Sequence, residues 1–444
     1  QMWMRLSGSF TRRNGYVTNY DYECRHPGSG LPKLAYSSDC VIGHEGGGSD
    51  VGLRGVLRWQ PSDKLEINIY GDYSKNDDEP TPNSLIVSED RPAYVVPGLP
   101  PPSAYLTGDP YSTYATYIQA SPPFIPPRKV SLQAWGVSGT IDYKFSDNVS
   151  FKSITAYREH SGDVVQDTDA SPLSAGLTAN PISVKQFTQE LRVNANIANA
   201  LDLTVGGYYF DGSGVNAGRI LAVPLEILLH DTQSSTNYSA FAHAVWSVND
   251  RLHLTGGIRY SKEEKHFPFG RVDPYTLLPS CAFGACAIDG TEGVSKAQRV
   301  DYRAVIDYRW SDQLMTYAQF STGFKGGGVN PRPYYQNQVA PFGPEAIKAW
   351  EVGIKSDLLD HKLRLNLSAF YNVYSGIQLK SQGSYFNPNL PVQPDPLLPF
   401  YNPVGGTFPS AVTFNAGTAH VKGVEAEFTL KPTQGLTIDG SVSY

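Results

Sequence analysis

The sequence lacks long hydrophobic runs and is poor in charge. No stretch of about 18 apolar residues occurs, which excludes a protein that crosses a membrane with apolar helices. Lys, Arg, Asp and Glu make up only 18 % of the 444 residues, which excludes a coiled coil and a charged disordered tail. The net charge is −6 and no basic cluster occurs, so no nucleic-acid partner is expected.

The sequence also lacks the short motifs of common enzymes. The G-x-S-x-G, H-E-x-x-H and Walker signatures are absent, and the nine histidines are scattered without metal-ligand spacing. We therefore predict a protein that is not an enzyme, with no catalytic residues, no metal site and no cofactor. A search for short motifs would not detect a catalytic set of Ser, His and Asp residues that lie far apart in the sequence and meet only in the fold.

What the sequence does contain is a recurring alternation of apolar and polar residues. The clearest segment starts at Leu363, where Leu365, Leu367 and Ala369 continue one face and Asn366 belongs to the other. Similar segments follow Lys64, Arg251 and Gly435, and strict alternation is typical of half-buried strands. We predict about fifteen such strands, each of roughly ten residues.

The connections between these segments alternate between short and long. This profile, together with aromatic residues near strand ends, predicts an all-β fold: a transmembrane antiparallel β-barrel with long extracellular loops and short periplasmic turns. A propeller or a sandwich would have more uniform connections. The predicted short turns are 60–63, 145–148, 197–200, 247–250, 311–312, 358–361 and 432–435; the predicted loops are 13–49, 75–129, 161–182, 213–233, 264–297, 323–344 and 378–416; the aromatics are Tyr73, Tyr143, Tyr157, Tyr260, Tyr308 and Trp310.

Several stretches resemble the barrel of TonB-dependent outer-membrane receptors. The strongest is YAQFSTGFKGGGVNPRP (Tyr317 to Pro333), followed by PEAIKAWEVGIKSDLLDHKLRLNLSAFYNVYSGIQ with its E-x-G-x-K of Glu351, Gly353 and Lys355. KQFTQELRV, YSAFAHAVWSVNDRLHLTGGIRYSKEEK and KGVEAEFTLKP support it. The resemblance covers essentially the whole chain.

The chain departs from the family pattern at both ends. The resemblance implies a 22-strand barrel, an amino-terminal plug domain and a TonB box, whereas the chain starts directly in a strand and stops at Tyr444 inside a hairpin. We therefore expect residues 1–444 to be a single barrel domain that is incomplete at both ends. It would lack the plug, about two strands before Gln1 and about five after Tyr444.

The resemblance implies a receptor in the outer membrane of a Gram-negative bacterium that imports a scarce, bulky nutrient with energy delivered through TonB. The default ligand of the family is a ferric siderophore, and oligosaccharides and cobalamin remain open. The expected partners are outer-membrane lipid, this ligand, and the TonB complex through the missing plug. A passive porin, a surface adhesin and a barrel enzyme are the alternatives.

Four cysteines fall in two local pairs in predicted loops. An even number of nearby cysteines on the outer side of a secreted protein suggests two disulfides, Cys24 with Cys40 and Cys281 with Cys286. Because His26 and His44 lie close to the first pair, a metal site is the alternative, and free thiols also remain open.

Two loops hold candidate ligand-binding residues. The first is Pro-rich and carries a tyrosine series that would suit a rigid aromatic platform for a metal chelate or a sugar. The second could meet an anionic ligand. The alternative for the first loop is packing on its neighbours, and for the second loop a structural role is the explanation that we favour. The candidates are Tyr94, Tyr105, Tyr111, Tyr114 and Tyr117 in the first loop, and Phe324, Lys325, Arg332, Tyr334 and Tyr335 in the second. In another loop, the apolar run LAVPLEILLH (221–230) suggests a short helix folded inward.

Overall fold

The fold is taken from a computed structural model of the whole chain. It describes residues 1–35, 37–90, 95–120, 123–126, 128–222, 225–278, 288–331, 333, 336–386 and 407–444. Among these residues, no helix has both the length and the apolar character needed to cross a membrane.

Fifteen long strands form one antiparallel sheet in which each strand pairs with the next one along the chain. This architecture confirms the predicted all-β fold and its strand number. The strands are β1 Met2–Arg13, β2 Gly48–Ser62, β3 Leu65–Asp78, β4 Val130–Lys144, β5 Val149–Asp167, β6 Gly176–Ile197, β7 Leu201–Ala222, β8 Leu225–Ser247, β9 Leu252–Pro268, β10 Glu292–Ser311, β11 Leu314–Lys325, β12 Glu345–Leu358, β13 Leu363–Ser375, β14 Thr418–Thr433 and β15 Leu436–Ser443.

Shorter elements lie in the connections between these strands. One helical turn, α1, spans Tyr22–Arg25, and two 3₁₀ turns span Pro102–Tyr105 and Gln336–Val339. The short strands are Val17–Tyr20, Val41–Glu45, Ser112–Thr113, Gln119–Ala120, Pro123–Phe124, Arg271–Val272, Gly328–Val329, Pro341–Phe342, Gln378–Phe386 and Thr407–Asn415.

The sheet has one apolar and one polar face, as strict alternation requires. On β10 the even-numbered residues Val300, Tyr302 and Ile306 are 46–50 % exposed although they are large and hydrophobic. The odd-numbered Arg303 and Asp307 belong to the opposite face. Such exposure is costly in water and favourable against lipid, so the apolar face suits a bilayer and the polar face suits a hydrated lumen.

Long and short connections lie at opposite rims of the sheet. The seven short turns occur where the sequence predicts them, at the rim that we call the short-turn rim. At the other, long-loop rim, two predicted loops are largely wrong. The ladder of β5 and β6 continues as far as the pair Asp167 and Leu177, and that of β7 and β8 continues as far as the pair Ala222 and Leu225. These strands continue beyond their predicted ends because pairing between strands provides hydrogen-bond partners for backbone N–H and C=O groups, which in a loop would bond to solvent.

The predicted short helix at 221–230 is also wrong. Its described residues belong to the ends of β7 and β8, which pair in register. Leu221 and Leu229 are 5 % and 6 % exposed because one contacts a buried cluster with Leu177 and the other pairs with Arg271 of a short strand. The apolar run therefore reflects side chains that strands bury above the barrel wall.

Aromatic side chains of neighbouring strands form a row on the apolar face near the long-loop rim. Ring centroids of neighbours such as Phe320 and Trp350 are 5.1 Å apart, and those of Trp350 and Tyr371 are 5.8 Å apart. A second row near the short turns includes Tyr308 and Trp310, 4.7 Å apart. The two rows lie eight residues apart on β10, Tyr302 to Trp310, or about 26 Å along the strand. A strand tilt of about 40° reduces this to about 20 Å along the membrane normal, slightly less than the apolar band of about 25 Å in outer-membrane barrels. The first row comprises Trp135, Tyr157, Phe187, Tyr209, Tyr238, Tyr260, Tyr302, Phe320, Trp350 and Tyr371.

On the polar face, β12 encloses the ring of Tyr317 from β11. The Tyr317 hydroxyl donates to Glu351 Oε1 at 2.5 Å, and Lys355 Nζ lies 5.8 Å from the ring centroid. Gly353 lies between these two residues, where an added Cβ would come within 2.5 Å of the ring carbons. The E-x-G-x-K residues therefore form one contact set around one tyrosine.

We expect Gly353→Ala to displace the Tyr317 ring and to lower the free energy of unfolding by about 1 to 3 kcal/mol, the usual cost of overpacking. Gly139→Ala is the matched control, because an added Cβ there meets no atom within 4 Å. The measurement is guanidinium unfolding of the refolded protein in detergent, followed by tryptophan fluorescence. Equal midpoints for the two variants would contradict the proposed packing role.

Candidate ligand-binding site

The first long loop, residues 14–47, is organised around Asp21. This side chain caps α1 by accepting from the Cys24 N–H at 3.1 Å, and it also accepts the N–H groups of Leu34 and Ala35 at 2.5 Å each. A short strand beside it, Val17–Tyr20, pairs with Val41–Glu45 and, in parallel, with Ser112–Thr113 of the next long loop. Loops 14–47 and 79–129 therefore share one small sheet.

A disulfide joins Cys24 to Cys40, whose Cα atoms are 5.6 Å apart, and closes the loop around Asp21. His26 contacts the Tyr22 ring, with centroids 4.4 Å apart. Within the described part of the chain, no group of three or more His, Cys, Asp or Glu side chains is placed to hold a metal ion. Cys281 and Cys286 lie outside the described residues.

The tyrosine series of the Pro-rich loop divides into buried and exposed members. Tyr105 and Tyr114 are 1 % and 5 % exposed and meet Tyr22 edge-on, with ring centroids 5.1 and 5.0 Å apart. Burial raises the pKa of Tyr105 to about 12. Tyr117 is also buried, whereas Tyr111 is 62 % exposed. Tyr94 lies outside the described residues, so Tyr111 is the described ring that presents a contact surface.

The rings that are buried contribute to a core above the barrel wall. Tyr117 packs in a cluster with Val165 and Leu177 of the β5–β6 extension and with Leu221 of β7. Proline-rich backbone costs little entropy to order, which favours such a packed loop. The cluster fixes loop 79–129 to the extended strands, so these tyrosines position the loop.

A buried carboxylate, Glu45, joins the two loops. Its Oε1 accepts from Asn19 Nδ2 at 2.9 Å and from the Tyr117 hydroxyl at 3.3 Å, and it lies 3.8 Å from Arg128 Nη2. Arg128 also donates to the Ile42 carbonyl at 2.7 Å. Burial raises the pKa of Glu45, while these partners oppose that shift. These partners of Glu45 lie far apart in the chain, so their spacing in the sequence does not predict that they meet.

Asp167 connects loop 79–129 to the end of β5, ten residues beyond the aromatic row at Tyr157 and so outside the apolar band. It accepts from the backbone N–H of Thr116 at 3.1 Å and of Ala170 at 2.6 Å. Burial raises the pKa of Asp167, and the nearby charge of Asp169 raises it further. Because desolvation outweighs the backbone donors, the protonated form is favoured in the folded loops.

We expect the packing of these loops to weaken with rising pH. A carboxyl group with a raised folded-state pKa contributes its full stabilisation below the ordinary Asp pKa of 3.8 and loses it as the pH passes the raised value. Amide hydrogen exchange at Thr116 and Tyr117, corrected for intrinsic rates, should show less protection at about pH 9 than at about pH 5.

The controls are Asp167→Asn and Asp147→Asn. The first variant removes the ionisable group, so we expect its protection to lose the pH dependence, at a lower level because the new amide faces the Thr116 N–H. The second changes an exposed turn residue and should behave as the unmodified protein does. A pH dependence that persists in Asp167→Asn would assign the effect to another group.

The second set of candidates lies at the end of β11. Alternation places Lys325 on the polar face, exposed at the long-loop rim, and Phe324 on the apolar face, four residues beyond Phe320 on the same strand. Of these two described side chains, Lys325 is therefore the one directed toward the lumen. Beyond it, Val329 and Val339 pack with Phe269 and Ile288 into another buried cluster. Arg332, Tyr334 and Tyr335 lie outside the described residues.

The structure also shows polar-face residues that sequence reasoning did not single out. The Arg259 guanidinium lies 5.7 Å from the ring centroids of both Tyr208 and Phe241, and Arg303 donates to Gln319 Oε1 at 3.1 Å. These groups line the wall between the loops and the short-turn rim. The alternation identifies their face, but their pairing depends on strand register.

Comparison with known proteins identifies the family of this chain. The family model described as "TonB dependent receptor-like, beta-barrel" matches residues 58–444. The chain belongs to this family. TonB-dependent receptor barrels lie in the outer membrane of Gram-negative bacteria, so the apolar face contacts lipid, the polar face lines the lumen and the long-loop rim is extracellular.

The individual relatives share little sequence identity with the chain. The rhizobactin receptor of Rhizobium meliloti (strain 1021) is 27 % identical over 237 residues, covering 47 % of this chain and 29 % of that protein. The solved ferric yersiniabactin uptake receptor FyuA of Yersinia pestis superposes with a TM-score of 0.64 at 17 % identity, covering 99 % of this chain and 56 % of that one.

The siderophore receptor PiuA of Acinetobacter baumannii gives a TM-score of 0.59 at 14 % identity, covering 100 % of this chain and 59 % of that one. These two structural likenesses establish the barrel fold. The chain spans less than a third of the curated relative and little more than half of each of these two solved receptors.

Proposed function

We propose that this chain supplies the barrel wall and extracellular loops of a receptor that imports a ferric siderophore with energy delivered through TonB. The observation that carries the proposal is the family match over residues 58–444. The names of the relatives support the ligand class, because they include receptors for rhizobactin and ferric yersiniabactin. We propose no catalytic activity.

The coverage of the relatives supports a division of labour within a longer receptor. A receptor of the length of FyuA, of which this chain spans 56 %, has room for a plug, a TonB box and further wall strands. The plug would close the lumen until TonB displaces it. The polar face described above, with Arg259 and Arg303, would then line the route that the ligand follows.

Ligand contact is proposed for the residues that the rim presents toward the lumen or the exterior. Tyr111 offers an exposed ring, and Lys325 offers a cation at the luminal mouth. Tyr94, Arg332, Tyr334 and Tyr335 remain candidates on sequence grounds. Tyr105, Tyr114 and Tyr117 would act indirectly, by holding the loop that carries Tyr111.

The test is uptake of radiolabelled ligands by cells that express the full-length receptor as their sole siderophore receptor, with the label on iron in the siderophores, on cobalt in cobalamin and on carbon in the oligosaccharide. The panel contains ferric rhizobactin, ferric yersiniabactin and a ferric catecholate, with cobalamin and a maltooligosaccharide as other ligand classes. We expect uptake of at least one ferric siderophore that is abolished by deletion of TonB. Uptake that persists without TonB would indicate a porin, and absence of uptake of every compound would favour an adhesin.

A second measurement tests the luminal cation. Lys325→Ala should raise the Kd for an anionic ferric siderophore about tenfold, since a charge-assisted contact contributes about 1.5 kcal/mol or more. Lys362→Ala is the control, because this exposed lysine lies at the short-turn rim. Isothermal titration with the purified receptor gives both values. Equal Kd values would remove Lys325 from the binding site without affecting the assignment of the family.

A further inference from the structure

A cavity of about 190 Å³ lies among the extracellular loops. Its walls come from loop 14–47, from loop 79–129 and from the turn between β5 and β6. Apolar and aromatic side chains form most of the lining. The aliphatic ones include Leu31, Leu34, Ile42, Leu99, Ile118 and Leu173. Three parts of the chain that are distant in sequence therefore enclose one apolar space.

Polar side chains of the lining have protein partners elsewhere in the loops. Asp21 accepts from three backbone N–H groups, and the Ser174 hydroxyl donates to the Ile118 carbonyl. The Tyr114 hydroxyl lies 3.5 Å from His26 Nε2. A buried water molecule needs two to four polar partners, and an apolar cavity without them stays dry. These contacts therefore favour an apolar occupant over water.

The size and the walls of the cavity fit a single aromatic ring. An engineered apolar cavity of about 150 Å³ in another protein binds benzene, so about 190 Å³ has room for one ring with a small substituent. Tyr22 and Tyr114 meet edge-on in the wall, with ring centroids 5.0 Å apart. Tyr20 also lines the cavity. A ring that enters can continue this edge-to-face packing, which aromatic pairs prefer.

The cavity opens toward solvent where loops 14–47 and 79–129 meet. Pro32 in its lining is exposed, and Leu99 is half-buried. Beside them Gly30 has a φ of +83°, and an added Cβ there would come within 3.3 Å of Leu99 Cδ2. The two loops therefore approach closely at the mouth, and a ligand reaches the cavity from the extracellular side.

We propose that this cavity binds an aromatic ring carried by the ligand that the receptor imports. The ring packs against Tyr22, Tyr114 and Leu173, while the charged iron-chelating groups stay at the mouth, because burial of unpaired charge is costly. The ligand class narrows to ferric siderophores with an aromatic ring that does not chelate the iron. This role rests on the proposed function, whereas the binding of an aromatic ring by the cavity does not.

The first experiment locates the site with bromobenzene, whose bromine gives an anomalous signal, in crystals of the full-length receptor. We expect a bromine peak beside Tyr114 and Leu173. Leu173→Trp fills the cavity with a larger apolar side chain, so the peak should be lost. The matched control is Leu278→Trp, which enlarges a leucine that is 64 % exposed in another loop and should keep the peak.

A solution titration distinguishes a built site from binding at crystal concentration only. Fluorine NMR with fluorobenzene gives the Kd for each receptor in detergent, and Leu173→Trp supplies the background from the micelles. We expect the Kd to rise about tenfold or more in Leu173→Trp and to stay unchanged in Leu278→Trp. Leu173→Ala enlarges the cavity, so it should bind fluoronaphthalene more tightly than the unmodified receptor does. A misfolded variant would not gain affinity for the larger ring.

Absence of the bromine peak, or equal Kd values in the unmodified receptor and Leu173→Trp, would overturn the proposal. The role in import is tested with a ferric hydroxamate that carries a benzyl group and with the same chelate without it. Leu173→Trp should reduce uptake of the first and leave uptake of the second unchanged. Equal uptake of the benzyl chelate by both receptors would contradict the role in import. If the receptor imports no ferric siderophore at all, the proposed function fails while the fluorobenzene result stands.

Discussion

The structure depends on the need of every backbone N–H and C=O within the apolar band to find a partner in the neighbouring strand. Lipid supplies no hydrogen bonds, so a strand cannot lie there unpaired. This requirement fixes consecutive pairing from β1 to β15, and it fixes which residues share a row. The row positions in turn place Trp350 beside Tyr371 and bring Tyr317 against Glu351 and Gly353.

The same constraint explains why the wall could be predicted from the sequence. Alternation such as that from Leu363 to Ala369 is a local signal, and it is strong because one residue of slip would turn every apolar side chain into the lumen. The turns at 145–148 and 358–361 are equally local. Fold class, strand number and the positions of both rims therefore follow from residues that are near one another in the chain.

The loops could not be predicted in this way, because their contacts join distant segments. Tyr117 looks like a surface aromatic in its Pro-rich context, yet it is buried against Leu177 and Leu221 and donates to Glu45. The apolar composition of 221–230 suggests a helix, and only its pairing with neighbouring strands shows that it belongs to β7 and β8. Strand lengths beyond the membrane are decided by packing above the wall, for which the sequence carries no periodic signal of its own.

The parallel pairing of Thr18 and Asn19 with Ser112 and Thr113 has a consequence for motion and assembly. The small sheet unites residues from two loops that β2 and β3 separate. Glu45 joins the two loops to each other, and Asp167 joins loop 79–129 to the end of β5. This part of the extracellular surface therefore behaves as one rigid body, and displacing one loop requires displacing its neighbour. Because β2 and β3 lie between the two segments in the chain, pairing of these strands shortens the loop that formation of the small sheet has to close.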